Sequence, residues 1–236
     1  MNKYYETKYD YIKDLKIDWK RMKRWLEWIE STKVGQIHNN RIVKMLDVAC
    51  GTGRTSKWAN KRSVLWMGIE SSKKAIDFGE KAFHCKIDYG DAEDLPYPQN
   101  YFDYVICLGS LEHMMSPDLA IREINRVCKP NGKIVILVPN RIPILDWLHF
   151  NYGTEQEYEV RRTKYEWLEL LYDNLIKVHR IRRDYGARLF KNLKPLAFVK
   201  RLMLKITRIL PHYFTYCWIF DCIPIKGRFN PKWKVK

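Results

Sequence analysis

From Val43 to Val138 short apolar runs alternate with amphipathic stretches, and no other feature narrows the fold as much. Val43–Val48, Val64–Ile69, a short piece near His84–Ile87, Tyr104–Leu108 and Lys133–Val138 read as strands; Arg54–Asn60, Lys73–Lys81 and Pro117–Cys128 read as the helices between them. Strands joined through helices lie parallel, because the crossover carries the chain back to the edge it started from. The run Lys129-Pro130-Asn131-Gly132 is expected to stop the third helix cleanly. Further on, Thr163 with Glu166 three residues later is the signature of a capping box opening a helix over Tyr165–Tyr172. Leu175–Ile181 then reads as a sixth strand and Cys217–Ile225 as the last.

At 236 residues and 46% hydrophobic, the chain can bury one sizeable core with appendages. Residues 1–40 read as an N-terminal helical cap, with Trp19, Met22, Leu26 and Ile29 spaced three or four apart, followed by a loop through GQIHNN. Residues 41–183 form the expected core and 184–236 a basic extension. The N-terminus has no unbroken apolar stretch like that of a signal peptide. No window approaches the ~20 apolar residues of a spanning helix. A soluble protein, or one bound only to a membrane surface, is expected. Six scattered cysteines with no C-x-x-C pair read as buried free thiols in a reducing cytoplasm, and no cluster at metal-ligand spacing is evident.

The chemistry concentrates at Met45-Leu46-Asp47-Val48-Ala49-Cys50-Gly51-Thr52-Gly53, an apolar strand running into a turn with a helix behind it. Gly51 and Gly53 permit backbone angles closed to other residues, so a ligand can lie directly on the main chain. Dinucleotide-binding proteins use a similar turn for a pyrophosphate. Here the turn reads G-T-G-R-T-S and lacks the third glycine that lets helix and strand close around phosphates, which favours a nucleotide without them. Glu70 closes the next strand seventeen residues after Gly53, where a carboxylate accepts hydrogen bonds from both ribose hydroxyls.

With LDVACGTGR, GIESS, GDAEDLPYPQNYFDYVICLGSLEHM and REINRVCKPNGKIVILVPN in that order, the chain resembles the class I S-adenosylmethionine-dependent methyltransferases of the type-11 kind between about Val43 and Pro139. The resemblance implies an α/β fold: a Rossmann-like, doubly wound, seven-stranded sheet, mostly parallel, here with an amphipathic helical insertion before the last strand. It also implies S-adenosyl-L-methionine as cofactor, S-adenosyl-L-homocysteine as product and no metal. Asp47 and the backbone of Ala49, Cys50, Gly51, Thr52 and Gly53 would hold the methionine part, and Glu70 beside Ser71 the ribose. Asp91 with the backbone of Ala92 and Glu93 would meet the adenine, while Leu108, Gly109 and Ser110 would border the methyl donor. The reaction is an in-line displacement, so alignment of donor and acceptor is the enzyme's main task.

Glu112 and His113 follow the fourth strand at its carboxyl end, where an acceptor would lie. His113 is the candidate catalytic base for a hydroxyl acceptor, since imidazole titrates near neutral pH; the competing reading has it packing or capping only. Trp147, His149, Phe150, Tyr152 and Tyr158, in the excursion Asn140–Arg162, either wall the acceptor or form a satellite core.

Residues 177–236 carry 16 Lys/Arg against Asp184 and Asp221, so nearly all of the net charge of +16 lies there. In Pro195–Leu210, Leu196, Val199, Met203, Ile206 and Leu210 share one helical face and Lys194, Arg201, Lys205 and Arg208 another. Such a helix packs on its own domain, lies in an anionic membrane interface or grips phosphates. Cys107-Leu108-Gly109-Ser110 is not the Asn/Asp-Pro-Pro-Tyr/Phe pattern of enzymes that methylate base amino groups, so nucleic acid is the weaker partner. The expected function is methyl transfer to a small-molecule, lipid-linked or glycan acceptor, in the cytoplasm or peripheral on a membrane. An RNA-modifying methyltransferase and a catalytically inactive binder of the cofactor are the alternatives.

Overall fold

The computed structural model describes residues 42–60, 64–147, 158–184 and 215–227. The expected N-terminal cap, the amphipathic helix 195–210 and residues His149, Phe150 and Tyr152 lie outside them.

Seven strands form one sheet: β1 (Val43–Val48), β2 (Val64–Glu70), β3 (Ile87–Tyr89), β4 (Phe102–Leu108), β5 (Cys128–Pro139), β6 (Ile176–Asp184) and β7 (Cys217–Pro224). Their order is β3-β2-β1-β4-β5-β7-β6. β7 runs antiparallel to both neighbours, and the other pairings are parallel. Helices α1 (Ser56–Ala59), α2 (Lys73–Phe83), α3 (Pro117–Val127), α4 (Pro143–Trp147) and α5 (Lys164–Asp173) complete the described elements, with a 3-10 turn at Leu111–His113. The order of strands reverses between β1 and β4, and a crevice opens at the carboxyl ends of strands at such a switch.

The two-residue period of the strands explains how the core divides. Leu46, Val48, Val105, Cys107, Ile134, Ile136, Phe220 and Cys222 face one side, against Ile121 and Ile124 of α3 and Trp167 and Leu171 of α5. Met45, Ile106, Val135, Leu137, Cys217 and Ile219 face the other, against Trp58 and Ala59 of α1. The central strands are covered on both sides, which is why they were legible as mostly apolar runs, whereas β6 is largely polar, and exposed over His179–Ile181.

Several boundaries differ from expectation; β6 runs on to Asp184, β4 starts at Phe102 and α2 ends at Phe83. The first helix is shortened to Ser56–Ala59, because residues 51–55 form successive turns. The third strand begins at Ile87, since His84 adopts a left-handed conformation (φ 52) to cap α2 and His84–Lys86 are spent leaving the helix. The run Lys129–Gly132 is not a clean stop: α3 ends at Val127 and β5 starts at Cys128. Phe102 pairs with Cys128 but Tyr104 with Lys133, so the extra residues are absorbed as a bulge.

The capping box is present as read: Thr163 Oγ1 accepts from Glu166 N at 3.3 Å and Glu166 Oε2 from Thr163 N at 2.6 Å. These bonds hold the Glu166 carboxyl below its ordinary range. Thr163→Ala should cost about 1 kcal/mol, measured as a lower urea midpoint with unchanged slope.

Candidate functional site

The site is built where β1 meets the turn behind it. Asp47 shares a strand face with Met45 and is 3% exposed. Its partner is Thr55, whose hydroxyl donates to Asp47 Oδ2. The Thr55 oxygen accepts in turn from Trp66 Nε1 at 2.9 Å, so an indole on β2 and a hydroxyl behind the turn fix the carboxylate. Burial pushes Asp47 up to about 7, opposed by the Thr55 hydrogen bond and reinforced by the nearby Glu70 charge.

The turn is wound left-handed at three positions, Ala49 (φ 52), Gly51 (φ 58) and Gly53 (φ 65). At Gly53 a Cβ would also lie 2.9 Å from Cys85 Sγ, so any residue with a side chain is disfavoured there on both grounds. Thr52 is buried, and its hydroxyl accepts from Arg54 Nε at 3.2 Å.

Glu70 does more than the sequence indicated. Its Oε2 accepts from Gly51 N at 2.8 Å, tying the turn to the end of β2, and its Oε1 accepts from the amides of Ser71 and Ser72 at 3.0 Å each. A carboxylate has about four acceptor sites, so three amides leave Oε2 with room for one more donor. Capture of both ribose hydroxyls by Glu70 alone therefore requires the Gly51 bond to yield. Among the described residues, no cation pairs with Asp47 or Glu70.

At the next expected contact, Asp91 Oδ1 accepts from Glu93 N at 2.9 Å, closing its own turn, and the Glu93 carboxylate accepts from Ser116 N at 2.8 Å ahead of α3. The Glu93 amide is thus committed within the protein, which leaves Ala92 as the backbone expected to meet a base there. On the β4 side, Gly109 turns left-handed (φ 73) and Ser110 Oγ donates to Ala49 O at 3.2 Å. This bond joins the two strand ends that border the crevice. Leu108 to Ser110 and the Asp47–Gly53 turn are thereby brought together as expected.

His113 is 3% exposed, with Nδ1 2.7 Å from the Tyr158 carbonyl and Nε2 3.7 Å from Glu112 Oε1. Of the two readings of Trp147, its 74% exposure at the end of α4 argues against a satellite core. Cys50 and Cys107 have thiols pushed well above their ordinary range by burial, and all six cysteines are free. Neither thiol is poised as a nucleophile. Among the described residues no group of His, Cys, Asp and Glu is arranged to hold a metal ion.

Three contributors went unread. Thr55 and Trp66 carry no motif of their own. Gly79 had a signal, an isolated glycine inside a helical pattern. Its Cβ would lie 2.5 Å from the Thr52 carbonyl oxygen, so α2 presses directly on the main chain of the turn.

A family described as methyltransferase domain matches residues 46–136. Among curated relatives, the chloroplastic 2-methyl-6-phytyl-1,4-hydroquinone methyltransferase of Spinacia oleracea is 36% identical over 106 residues, 43% of this chain and 31% of that one. The demethylmenaquinone methyltransferase of Staphylococcus aureus (strain MRSA252) is 27% identical over 172 residues, 66% of this chain and 71% of that one. The solved structure of geranyl diphosphate C-methyltransferase from Streptomyces coelicolor A3(2), in complex with Mg2+, geranyl diphosphate and S-adenosyl-L-homocysteine, aligns with a TM-score of 0.59 at 15% identity, covering 84% of this chain and 80% of that one. That likeness shows a shared fold. The chain spans about a third to a half of the length of the first relatives it matches above 30% identity.

Proposed function

We propose that the protein, whose residues 46–136 match the methyltransferase domain family, transfers the methyl group of S-adenosylmethionine to a small lipid-like acceptor of the hydroquinone or isoprenoid kind. The observation that carries the cofactor reading is electrostatic. Two carboxylates, Asp47 and Glu70, are buried at one turn with no cation against them among the described residues. Asp47 is held by the Thr55 hydroxyl and Glu70 by three amides, with no opposite charge beside either among the described residues, so the site suits a ligand that brings positive charge and no phosphate. S-adenosylmethionine fits that requirement through its ammonium and sulfonium; a pyrophosphate does not.

Asp47 and the Ala49–Gly53 main chain would hold the amino-acid part, Glu70 with Ser71 the ribose, and Asp91 with Ala92 the adenine side. Leu108 to Ser110 would border the reacting centre. When bound, the cofactor supplies an activated methyl group. The chain's own contribution is then to place an acceptor in line and keep the crevice dry.

Support for a lipid acceptor comes from the hydroquinone and menaquinone relatives and from the surface. Met115 (66% exposed), Trp147 (74%) and Tyr165 (69%) follow the carboxyl ends of β4 and β5 in the chain or stand at the start of α5. Exposed large apolar side chains suit an apolar acceptor or a membrane interface. The free thiols favour a cytoplasmic setting.

Calorimetric titration should show S-adenosylmethionine and S-adenosylhomocysteine binding roughly 100-fold or more tighter than NAD, a margin of about 2.7 kcal/mol. With methyl-labelled cofactor and separate lipid, RNA, glycan and protein extracts, label should enter the lipid fraction. Label in RNA would replace this reading with the RNA-modifying one; binding without transfer to any fraction would leave a cofactor-binding protein lacking turnover.

A further inference from the structure

The 3-10 turn that follows β4 does not stand alone at the acceptor side. Residues Tyr158 to Arg162 return alongside it and are attached at successive points. Val160 N donates to Glu112 O at 2.8 Å, and His113 Nδ1 lies 2.7 Å from Tyr158 O. Two residues on, Arg162 O accepts from Arg141 N at 2.9 Å and Asn140 forms a parallel bridge with Arg162. The five residues are thereby stitched both to the end of β4 and to the chain leaving β5.

Of the bonds named above, the one through His113 is made by a side chain and reaches Tyr158. A carbonyl oxygen can only accept, so Nδ1 must carry the proton in this contact, whatever the state of Nε2. That nitrogen is therefore unable to take a proton from a substrate. The other, Nε2, lies 3.7 Å from Glu112 Oε1 in surroundings that leave the residue 3% exposed. A general base needs a lone pair within hydrogen-bond reach of the acceptor, and in this structure the 3% exposure of His113 leaves Nε2 no open approach for one.

We propose that His113 is a positioning residue: its Nδ1–H clasps Tyr158 O and so registers residues 158–162 as a wall beside the carboxyl end of β4. It is not the proton acceptor of the reaction. This rests on the reading that the acceptor enters between the ends of β4 and β5. The clasp itself is independent of that reading, because it makes a mechanical prediction about the segment.

Two substitutions separate a clasp from a base. In His113→Asn the side-chain amide nitrogen overlays Nδ1 and can donate to the same carbonyl, but it has no group that titrates near neutral pH. His113→Leu keeps comparable bulk and removes the donor. Arg161 and Arg162 supply trypsin sites inside the segment, so its attachment can be read without any substrate. His113→Leu should be cleaved there on the order of 10-fold faster than wild type, the change expected for losing about 1.4 kcal/mol of local protection, and His113→Asn within about threefold. In the labelled-methyl assay with the lipid extract, His113→Asn should keep at least roughly a third of the transfer rate with an unchanged pH profile between about 5.5 and 8.5, whereas His113→Leu should lose it about 10-fold or more. Affinity of both for S-adenosylhomocysteine should stay near wild type.

The clasp is overturned by a His113→Leu protein cut no faster than wild type. It is equally overturned by a His113→Asn protein that keeps the segment protected yet transfers as poorly as His113→Leu, which is the behaviour of a lost base. If neither protein nor wild type binds S-adenosylhomocysteine, the methyl-transfer reading fails while the trypsin comparison still decides the clasp.

Discussion

Gly79→Ala should weaken binding of S-adenosylhomocysteine by about 10-fold or more and destabilise the fold by roughly 2 kcal/mol, although the position lies in a helix outside the motif. The sign is a contest between two effects. Alanine is the better helix former by about 0.8–1.0 kcal/mol, so propensity alone predicts a gain. Against this, the new Cβ would stand 2.5 Å from the Thr52 carbonyl oxygen, 2.8 Å from its carbonyl carbon and 2.9 Å from Ile87 Cδ1. Two of these atoms are main chain, which cannot swing aside as the end of a long side chain would. Relief must come from moving α2 away from the sheet or from pushing Thr52 toward the crevice. Either displaces the turn whose left-handed residues Gly51 and Gly53 form the floor of the site. The steric effect should win. Calorimetric titration together with urea unfolding reads both quantities, and a variant that is more stable with unchanged affinity would show that α2 does not brace the turn.

This close approach also accounts for what the sequence left out. The turn lacks the third glycine by which dinucleotide-binding folds let their own helix close on the strand, and the short α1 sits behind it instead. Intimate packing is supplied from the next helix through Gly79, a long-range contact that no local pattern encodes. The central strands were legible because both faces of the sheet are covered there, which favours apolar runs; β7, which inserts antiparallel between β5 and β6, showed such a run broken only by Asp221. Its position between β5 and β6 is not in the run itself, since the pairing is fixed by registers such as Ile136 with Phe220 and Ile181 with Phe220. Bulges and caps were poorly legible. Lys129–Gly132 has turn composition, yet β4 pairs on either side of it and keeps it within the strand. At the site, the types and order of Asp47, Gly51, Gly53 and Glu70 were readable. The commitment of Glu70 to three amides was not, because it depends on where Gly51, Ser71 and Ser72 point once folded. His113 illustrates the same limit: its residue type suggested a base, and only the Tyr158 carbonyl revealed a donor contact.

Asp47→Asn should abolish a pH dependence that the wild-type protein shows between about 4 and 7. The Asp47 carboxyl is raised from 3.8 to about 7 in the folded chain, first by burial, so the folded state holds a proton that the unfolded chain releases across that window. Stability from this group is fully present below about pH 4, declines by up to roughly 1.4 kcal/mol per pH unit as pH rises, and is lost above about 7. Asparagine has the same shape, keeps an oxygen for the Thr55 hydroxyl and never ionises, so the variant should be the more stable protein at pH 7.5 and the two should converge near pH 4. Ligand binding should show the opposite preference. The ammonium group of the ligand favours the ionised carboxylate, so affinity for S-adenosylhomocysteine should rise in wild type by up to about 10-fold per pH unit between roughly 5 and 7. In the variant it should stay flat, about 10- to 100-fold weaker than wild type at pH 7.5, the scale of one charge-assisted contact. Parallel affinity curves for the two proteins would mean that the proton leaves Asp47 without reference to the ligand. The acid would then belong to the framework with Thr55 and Trp66, and the electrostatic case for a cationic cofactor would rest on Glu70 alone.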